Sequence, residues 1–295
     1  MKKYLTLFLT ALFIIVLAAC GTSEEDESSN EANEATDNES ETAGNETGEP
    51  TEITVGASST PHAEILEQAK PLLEEEGVSI VIEQYQDYIF PNEDLDNGTL
   101  DANYFQHTPY LESQIAEFGY DFVNIGGIHI EPMGVYSKNI NSVDEIPKGT
   151  EVIISRSVPD HGRILALFES QGLIQLAEGV NKASATIEDI VKNPLDLVFS
   201  PDVDAAVLPE IYDRDEDALV AINTNYAIEA GLSPLDDSLF IEGADSPYVN
   251  VIAARAEDEK SEALNKLVEV LQTEEIQSFI TETYDGAVVP VGGAN

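Results

Sequence analysis

The segment ITVGASSTPHAEILEQAKPLLEEEG, residues 53–77, shows how this chain is built. Residues 53–57 form a short apolar run that predicts a buried strand. Residues 58–61, Ser-Ser-Thr-Pro, supply capping side chains and a proline at a first helical position. The helix beginning near His62 is expected to end before Gly77. Its apolar residues recur at helical spacing: Ile65, Leu66, Ala69, Leu72 and Leu73.

Strands and helices alternate along the rest of the body. We predict further strands at residues 79–84, 151–154, 195–199, 218–222 and 249–254, a helix at 161–172, and an amphipathic helical tail from residue 260. This order predicts an α/β fold with a mostly parallel sheet, as one large domain or as two lobes with separate cores. In such sheets ligands lie beyond the carboxyl ends of the strands.

Residues 1–19 have the pattern of a secretory signal peptide. Lys2 and Lys3 precede an apolar run that is too short to span a bilayer. The run stops at Cys20, the single cysteine of the chain, so no disulfide can form within the chain. Leu-Ala-Ala-Cys-Gly resembles the lipobox of bacterial lipoproteins, which implies a lipid anchor at Cys20 on the extracytoplasmic face of the cell membrane. The alternative is an ordinary signal peptide that contains a cysteine.

Acidic residues dominate both the next segment and the body. Residues 20–52 hold 12 acidic side chains and no lysine, arginine or aromatic residue, which predicts a flexible, disordered linker. The body keeps 45 acidic against 11 basic residues, a net charge of about −34. This charge argues against nucleic acid and against an anionic membrane surface as docking partners. We interpret it as adaptation to high salt or alkaline surroundings.

The sequence offers little support for catalysis. It contains no G-x-S-x-G, H-E-x-x-H or P-loop motif, and no G-x-G-x-x-G after a strand. Acid pairs of the kind that hydrolyse glycosides arise by chance among 57 acidic residues. We expect no catalytic residue, no metal and no cofactor. Packed or pocket-lining roles are predicted for the four widely spaced histidines, His62, His107, His129 and His161.

Two segments carry candidate binding chemistry. Residues 101–111, DANYFQHTPYL, predict an aromatic strand followed by a helix that a Thr-Pro pair opens. Residues 160–163, DHGR, place Arg163 one turn inside a predicted helix start, where its guanidinium and the free N–H groups favour a carboxylate. The alternative for Arg163 is a surface ion pair. Core packing is the alternative for the aromatic residues Tyr104, Phe105 and Tyr110.

An ordered set of motifs across residues 53–290 resembles the NlpA/MetQ family of methionine-binding lipoproteins. The motifs of the first half are VGA (55–57), PHAEIL (61–66), DY (87–88), PN (91–92), LDAN (100–103), FQH (105–107), PYL (109–111), EPMG (131–134) and YSK (136–138). Those of the second half are GR (162–163), AINTNYA (221–227), EAGL (229–232) and SPYVN (246–250). Each motif alone is weak evidence, and the order of the whole set carries the resemblance.

The resemblance implies a substrate-binding protein that delivers an amino acid, usually L-methionine, to the permease and ATPase of an ABC importer. The implied fold is periplasmic-binding-protein-like, with two α/β lobes joined by crossing segments near residues 133–138 and 246–250. We therefore expect lobe 1 to comprise residues 53–135 and 249–295, and lobe 2 to comprise residues 136–248.

The resemblance also implies a ligand site. In the family pattern Arg163 holds the ligand carboxylate, and Asn223 matches a ligand-contacting asparagine. A pocket for the ligand side chain is implied at Tyr88, Phe105 and His107. A thioether is favoured beside aromatic rings, which agrees with this assignment. The predicted ligand-binding set is completed by Tyr110, Asp160 and Asn250.

Residues 156–161, RSVPDH, depart from the family pattern Asn-Asp-Pro-Thr-Asn before Gly-Arg. Asp160 stands where an asparagine is expected, and Arg156 is an additional cation. Either Asp160 pairs with the ligand ammonium, or Arg156 neutralises Asp160. The departure leaves an amino acid as the ligand class and makes its exact identity an open question.

Two other functions are compatible with the residues alone. A lipid-anchored hydrolase that uses acid pairs would turn over a peptide or a glycan. A surface adhesion module has no small ligand, so no added amino acid would raise its melting temperature. Only a ligand that binds the native state raises the melting temperature.

Overall fold

The computed structural model describes residues 49–243 and 246–292. The predicted signal peptide, the predicted lipidation site Cys20 and most of the predicted linker lie outside the described residues. Within the described ranges, no helix combines the length and the apolar character needed to cross a membrane.

Thirteen strands and eight α-helices are defined in these ranges. The strands are β1 (Thr51–Ser58), β2 (Val78–Tyr85), β3 (Ala102–His107), β4 (Phe122–Ile130), β5 (Gly134–Tyr136), β6 (Glu151–Ser155), β7 (Gln175–Leu176), β8 (Ile190–Lys192), β9 (Val198–Val203), β10 (Leu219–Ile222), β11 (Phe240–Ile241), β12 (Val249–Arg255) and β13 (Val289–Pro290). The helices are α1 (Glu64–Glu75), α2 (Phe90–Asp96), α3 (Thr108–Phe118), α4 (Val158–Ser170), α5 (Leu208–Arg214), α6 (Thr224–Glu229), α7 (Glu262–Leu271) and α8 (Glu274–Tyr284).

Lobe 1 is built on a six-stranded sheet in the order β13-β4-β12-β3-β1-β2. β1 pairs in parallel with β2 and β3, and the other pairings are antiparallel. Helices α1, α7 and α8 cover one face, where Leu66 and Leu267 are fully buried. Helices α2 and α3 cover the other face around Leu95 and Val251.

Lobe 2 is built on a five-stranded sheet in the order β11-β5-β10-β6-β9. β6 pairs in parallel with β9 and β10, whereas β5 pairs antiparallel with β10 and β11. Helix α4 packs on one face around Phe168, and helices α5 and α6 pack on the other around Leu208 and Ala227. The chain enters this sheet between Ile130 and Gly134 and leaves it between Ile241 and Val249. The predicted lobe boundaries at residues 135 and 248 stay a prediction.

The α/β prediction is confirmed, but the prediction of a mostly parallel sheet in each lobe is wrong. Both sheets are mixed, with parallel pairing at one edge and antiparallel pairing at the other. The antiparallel strands adjoin the crossings between the lobes. β12 returns from lobe 2 into the middle of the first sheet and runs antiparallel to both of its neighbours, β3 and β4. The alternation of apolar residues along a strand does not show that the chain has crossed to the other lobe and returned, so it could not predict this pairing.

The bounds of three predicted elements differ from the structure for an identifiable local reason. β1 starts at Thr51, inside the predicted linker, because its backbone N–H donates to the carbonyl of Gly77 at 2.9 Å. The strand predicted at 195–199 is displaced to β9, since the side chain of Asn193 bonds both backbone groups of Leu197 and closes a turn there. The helical tail is two helices, and the hydroxyl of Thr273 caps the second of them.

Candidate functional site

A cavity between the two lobes brings together all eight residues predicted to bind a ligand. The space between its walls is about 410 Å³, a figure that includes solvent at its mouth. The predicted residues that line it are Tyr88, Phe105, His107, Tyr110, Asp160, Arg163, Asn223 and Asn250. Four lining residues were not predicted: Gln106, Glu131, Thr224 and Asn225. The cavity lies at the carboxyl ends of β3 and β10, where α/β sheets present ligand sites.

Helix α4 begins three residues before its predicted start. Ser157 is its N-cap residue and Pro159 lies in its first turn, where the missing N–H of proline costs no hydrogen bond. Arg163 lies in the second turn of the helix, about one turn inside its start. Arg163 is 6% exposed, so the surface ion-pair alternative is wrong.

The guanidinium of Arg163 is held by groups in the two segments that connect the lobes. Nη2 donates to the backbone carbonyl of Glu131 at 2.9 Å and forms an ion pair with Glu242. The guanidinium carbon lies 4.3 Å from the centre of the Tyr248 ring. Glu242 is itself fixed by the hydroxyl of Ser246 at 2.9 Å. Nε of Arg163 has no hydrogen-bond partner among the described residues.

Asp160 is a buried, ionised neighbour of this arginine. His107 accepts the N–H of Tyr110 on Nδ1, so its Nε2–H donates to Asp160 at 3.1 Å. Asn223 Nδ2 donates to the other carboxylate oxygen at 3.3 Å, and Arg163 Nη1 lies 3.8 Å from the first. Burial acts to raise the pKa of Asp160, but the hydrogen bond and charge of His107 and the charge of Arg163 outweigh it and lower the pKa.

Arg156 takes no part in this cluster. It pairs with Asp204 at the surface, where the two side chains are 57% and 54% exposed. The alternative in which Arg156 neutralises Asp160 is therefore wrong.

Aromatic rings form one wall of the cavity. The ring centre of Tyr88 lies 6.0 Å from that of Phe105 and 6.2 Å from that of Tyr110. Because side chains alternate along a strand, Phe105 of β3 faces the cavity while Tyr104 is fully buried in the core of lobe 1. The core-packing alternative thus holds for Tyr104 and fails for Phe105 and Tyr110.

Three polar atoms of the cavity wall have no hydrogen-bond partner within the described part of the chain. They are Nε of Arg163, Nδ2 of Asn225 and Oδ1 of Asn223. Buried polar groups in native proteins are nearly always paired. The set provides two donors and one acceptor to a polar ligand.

The fold also gathers two histidines that are far apart in sequence. The donor atoms of His62, His129 and Glu131 lie within 4.8 Å of one another, close enough to be considered for a metal ion. Hydrogen bonds already engage them, since Glu131 Oε1 lies 2.8 Å from His129 Nε2 and His62 Nε2 lies 3.1 Å from Oδ1 of Asn250. We assign no metal to this group.

Two of the unpredicted lining residues, Asn225 and Glu131, lie next to or within motifs that the sequence analysis identified. Asn225 is two residues after Asn223, and both follow the end of β10. Glu131 directly follows β4 and belongs to the EPMG motif. Applying the strand-end rule to every strand would have indicated both residues.

Comparison with known proteins agrees with this architecture. The family model described as NlpA lipoprotein matches residues 53–292. The methionine-binding lipoprotein MetQ of Bacillus subtilis is 41% identical over 300 residues, covering 99% of each chain. The crystal structure of a pheromone precursor/lipoprotein of the YaeC family from Enterococcus faecalis has a TM-score of 0.80 at 48% identity, covering 82% of this chain and 100% of that one. A nutrient-binding protein from Burkholderia cenocepacia, solved bound to methionine, has a TM-score of 0.76 at 38% identity, covering 81% and 99%.

Two α/β lobes around a buried, charged cavity define the class of two-lobed substrate-binding proteins. Within that class, the chain belongs to the NlpA lipoprotein family.

Proposed function

We propose that this protein captures a free amino acid, L-methionine in the first instance, and delivers it to an ABC importer without catalysing a reaction. The observation that carries the proposal is the buried Arg163, whose Nε lacks a protein partner in a cavity that also has an aromatic wall. The methionine named for the Bacillus and Burkholderia relatives supports the choice of ligand.

The cavity matches each part of a methionine zwitterion. Nε of Arg163 and Nδ2 of Asn225 are available to donate to the ligand carboxylate. Oδ1 of Asn223 and the ionised Asp160 are available to the ammonium group. Such full pairing is needed because burying both ligand charges without partners would cost several kcal/mol. The thioether side chain would then lie against the rings, where sulfur–aromatic contacts contribute roughly 0.3–1.5 kcal/mol each.

The state of the two cavity carboxylates favours binding over hydrolysis. Burial acts to raise the pKa of Glu131, but the charge of His62 and the hydrogen bond from His129 outweigh it and lower the pKa. The pKa of Asp160 is also lowered. A glycosidase needs one carboxyl whose pKa is raised so that it can donate a proton. Neither group meets that requirement, so we propose no hydrolase activity.

The location and partners that we propose follow from the N-terminal residues and the family. We propose that acyl chains on Cys20 anchor the protein to the extracytoplasmic face of the cell membrane. The linker that follows gives the body reach to a permease and its ATPase. Mass spectrometry of the N-terminal peptide tests the anchor, and an unmodified Cys20 in the native host would contradict it.

A thermal-shift titration of the full chain tests the proposed ligand. L-Methionine at a hundred-fold excess over Kd should raise Tm by on the order of 5–10 °C, since it binds only the native state. Arg163→Ala should abolish the shift while leaving the fold intact, because the carboxylate loses its buried cationic partner. Arg214→Ala is the matched control, as the side chain of Arg214 is 66% exposed and pairs with the neighbouring Asp215. An unchanged methionine affinity in Arg163→Ala would reject the assigned role.

The same titration separates this proposal from an adhesion module. The full set of amino acids is screened alongside methionine. A Tm that none of them changes would favour the adhesion module and contradict the proposed function.

A further inference from the structure

A buried carboxylate lies at the first crossing between the lobes, and the proposed ligand contacts do not account for it. Glu131 is 7% exposed and occupies the short connection between β4 of lobe 1 and β5 of lobe 2. A buried charge is costly unless hydrogen bonds satisfy it. Its partners therefore indicate what it does.

One carboxylate oxygen of Glu131 is bound by lobe 1. His129 receives the hydroxyl of Tyr104 on Nδ1, so its Nε2–H donates to Oε1 at 2.8 Å. His62 Nε2 lies 3.3 Å from the same oxygen and 3.1 Å from Oδ1 of Asn250 on β12. Both histidines are at most 1% exposed. The carboxylate is thereby linked to β3, β4, β12 and the turn before α1.

The other oxygen is bound by lobe 2. Oε2 accepts the backbone N–H of Asn225 at 3.1 Å, and the hydroxyl of Thr224 donates to the neighbouring carbonyl of Pro132 at 2.5 Å. The carbonyl of Glu131 itself accepts Nη2 of Arg163 at 2.9 Å. Asn225 also contacts lobe 1 directly, because its Oδ1 accepts a hydrogen bond from the hydroxyl of Tyr88 at 2.6 Å.

We propose that Glu131 is a positioning residue that couples the two lobes and holds the ligand cavity in its assembled arrangement. One oxygen secures lobe 1, the other secures the chain segment of lobe 2 that carries Asn223 and Asn225, and the carbonyl orients Arg163. Ligand affinity then depends on Glu131 through the relative position of the lobes. Only the affinity measurement below rests on the proposed function.

A carboxylate suits this position because the two groups that hydrogen-bond its oxygens, Nε2–H of His129 and the backbone N–H of Asn225, are both donors. An ionised carboxylate only accepts hydrogen bonds, and both of its oxygens do so. A glutamine has the same shape, but its NH₂ group must face either the two histidines or the N–H of Asn225. Glu131→Gln therefore breaks the link to one lobe without changing the volume of the side chain.

The test measures the distance between the lobes in the full-length chain. Spin labels are attached at Glu75→Cys in lobe 1 and Lys192→Cys in lobe 2, both exposed, in a Cys20→Ser background. In the ligand-free protein we expect Glu131→Gln to broaden the distance distribution and shift it to longer distances. Calorimetry should show methionine affinity about ten-fold weaker.

Glu169→Gln is the matched control. Glu169 accepts the backbone N–H of Leu176 at 2.8 Å and pairs with Lys182, with all three residues inside lobe 2. It should match the wild type in both measurements. If Glu131→Gln fails to fold, His62→Ala replaces it with the same expectation, because it removes the ring that lies 3.3 Å from Oε1 and bonds Asn250.

An interlobe distribution that is identical to the wild type would overturn the inference, whether or not affinity falls. The distance measurement needs no ligand. It therefore decides the inference even if methionine proves not to be the ligand.

Discussion

At the scale of single residues, the site depends on charges that are buried and paired. Arg163 pairs with the carboxylates of Asp160 and Glu242 and donates to the backbone carbonyl of Glu131. Burial acts to lower the pKa of Arg163, and the charges of Glu242 and Asp160 outweigh it and raise the pKa. The guanidinium consequently stays charged at every pH at which the protein is folded. Its position is set before a ligand arrives, which reduces the entropy lost on binding.

We expect the protein to lose stability in mild acid because His62 is buried in its neutral form. Burial lowers its pKa to about 4 from an ordinary 6.5, despite the nearby charge of Glu131. Between those values the unfolded chain takes up the proton and the folded chain does not, so acid favours unfolding. The free energy of unfolding should fall by about 2 kcal/mol between pH 7 and pH 5 on account of His62. Urea titrations at the two pH values measure it.

In His62→Gln, the free energy of unfolding should fall much less between pH 7 and pH 5 than in the wild type. The control is His161→Gln, which changes a buried histidine bonded to the carbonyl of Ser155 and leaves His62 intact. That variant should lose stability as the wild type does. Equal acid losses in His62→Gln and the wild type would show that His62 is not the titrating group.

The roles of single residues were predictable from sequence to different degrees. Arg163 and the FQH motif were indicated by the family pattern, and all eight predicted residues do line one cavity. The sequence did not predict the contact of Glu242 with Arg163. Nothing in the neighbouring residues distinguishes a buried glutamate from the other acidic residues, of which the chain has 57 in all. The contact spans 79 residues and exists only through the fold.

At the scale of elements, helix α4 is the part that aims the arginine. Gly162 lets this helix approach the turn at residues 182–184 closely. A Cβ added at Gly162 would lie 2.6 Å from the carbonyl oxygen of Ala183, and it would also meet the carbonyl of Lys182. Both obstacles are backbone atoms that cannot rotate away.

Gly162→Ala should therefore destabilise the protein. In an ordinary helix interior this change stabilises by about 1 kcal/mol. Here overpacking against backbone should reverse the sign and cost about 1–3 kcal/mol. Chemical denaturation measures it, and calorimetry should also show weaker methionine binding because Arg163 shifts with the helix. A more stable variant would refute the close packing.

Element bounds were predictable where a cap or a glycine marks them. The start of α3 at Thr108 and the end of α1 before Gly77 agree with the prediction. The prediction begins α4 three residues late, at His161, because it does not use Pro159 as a first-turn proline. The mixed sheets were missed because antiparallel pairing of β12 depends on a crossing, and periodicity reports only which residues are buried.

At the scale of the whole molecule, the acidic surface should make stability depend on salt. The body carries a net charge of about −34, so its surface charges repel one another at low ionic strength. Molar salt shortens the screening length to about 3 Å and removes most of that repulsion. Tm should therefore rise between low and molar sodium chloride. A scanning calorimetry series measures this rise, and a flat or falling Tm would contradict adaptation to high salt.

The cavity between the lobes is the central feature of the account, and a crystal structure of the protein grown with L-methionine tests it most directly. We predict ligand density between the lobes, with the carboxylate on Arg163 and the thioether beside Tyr88, Phe105 and Tyr110. Density for methionine elsewhere on the protein, with the side chain of Arg163 in bulk solvent, would contradict it.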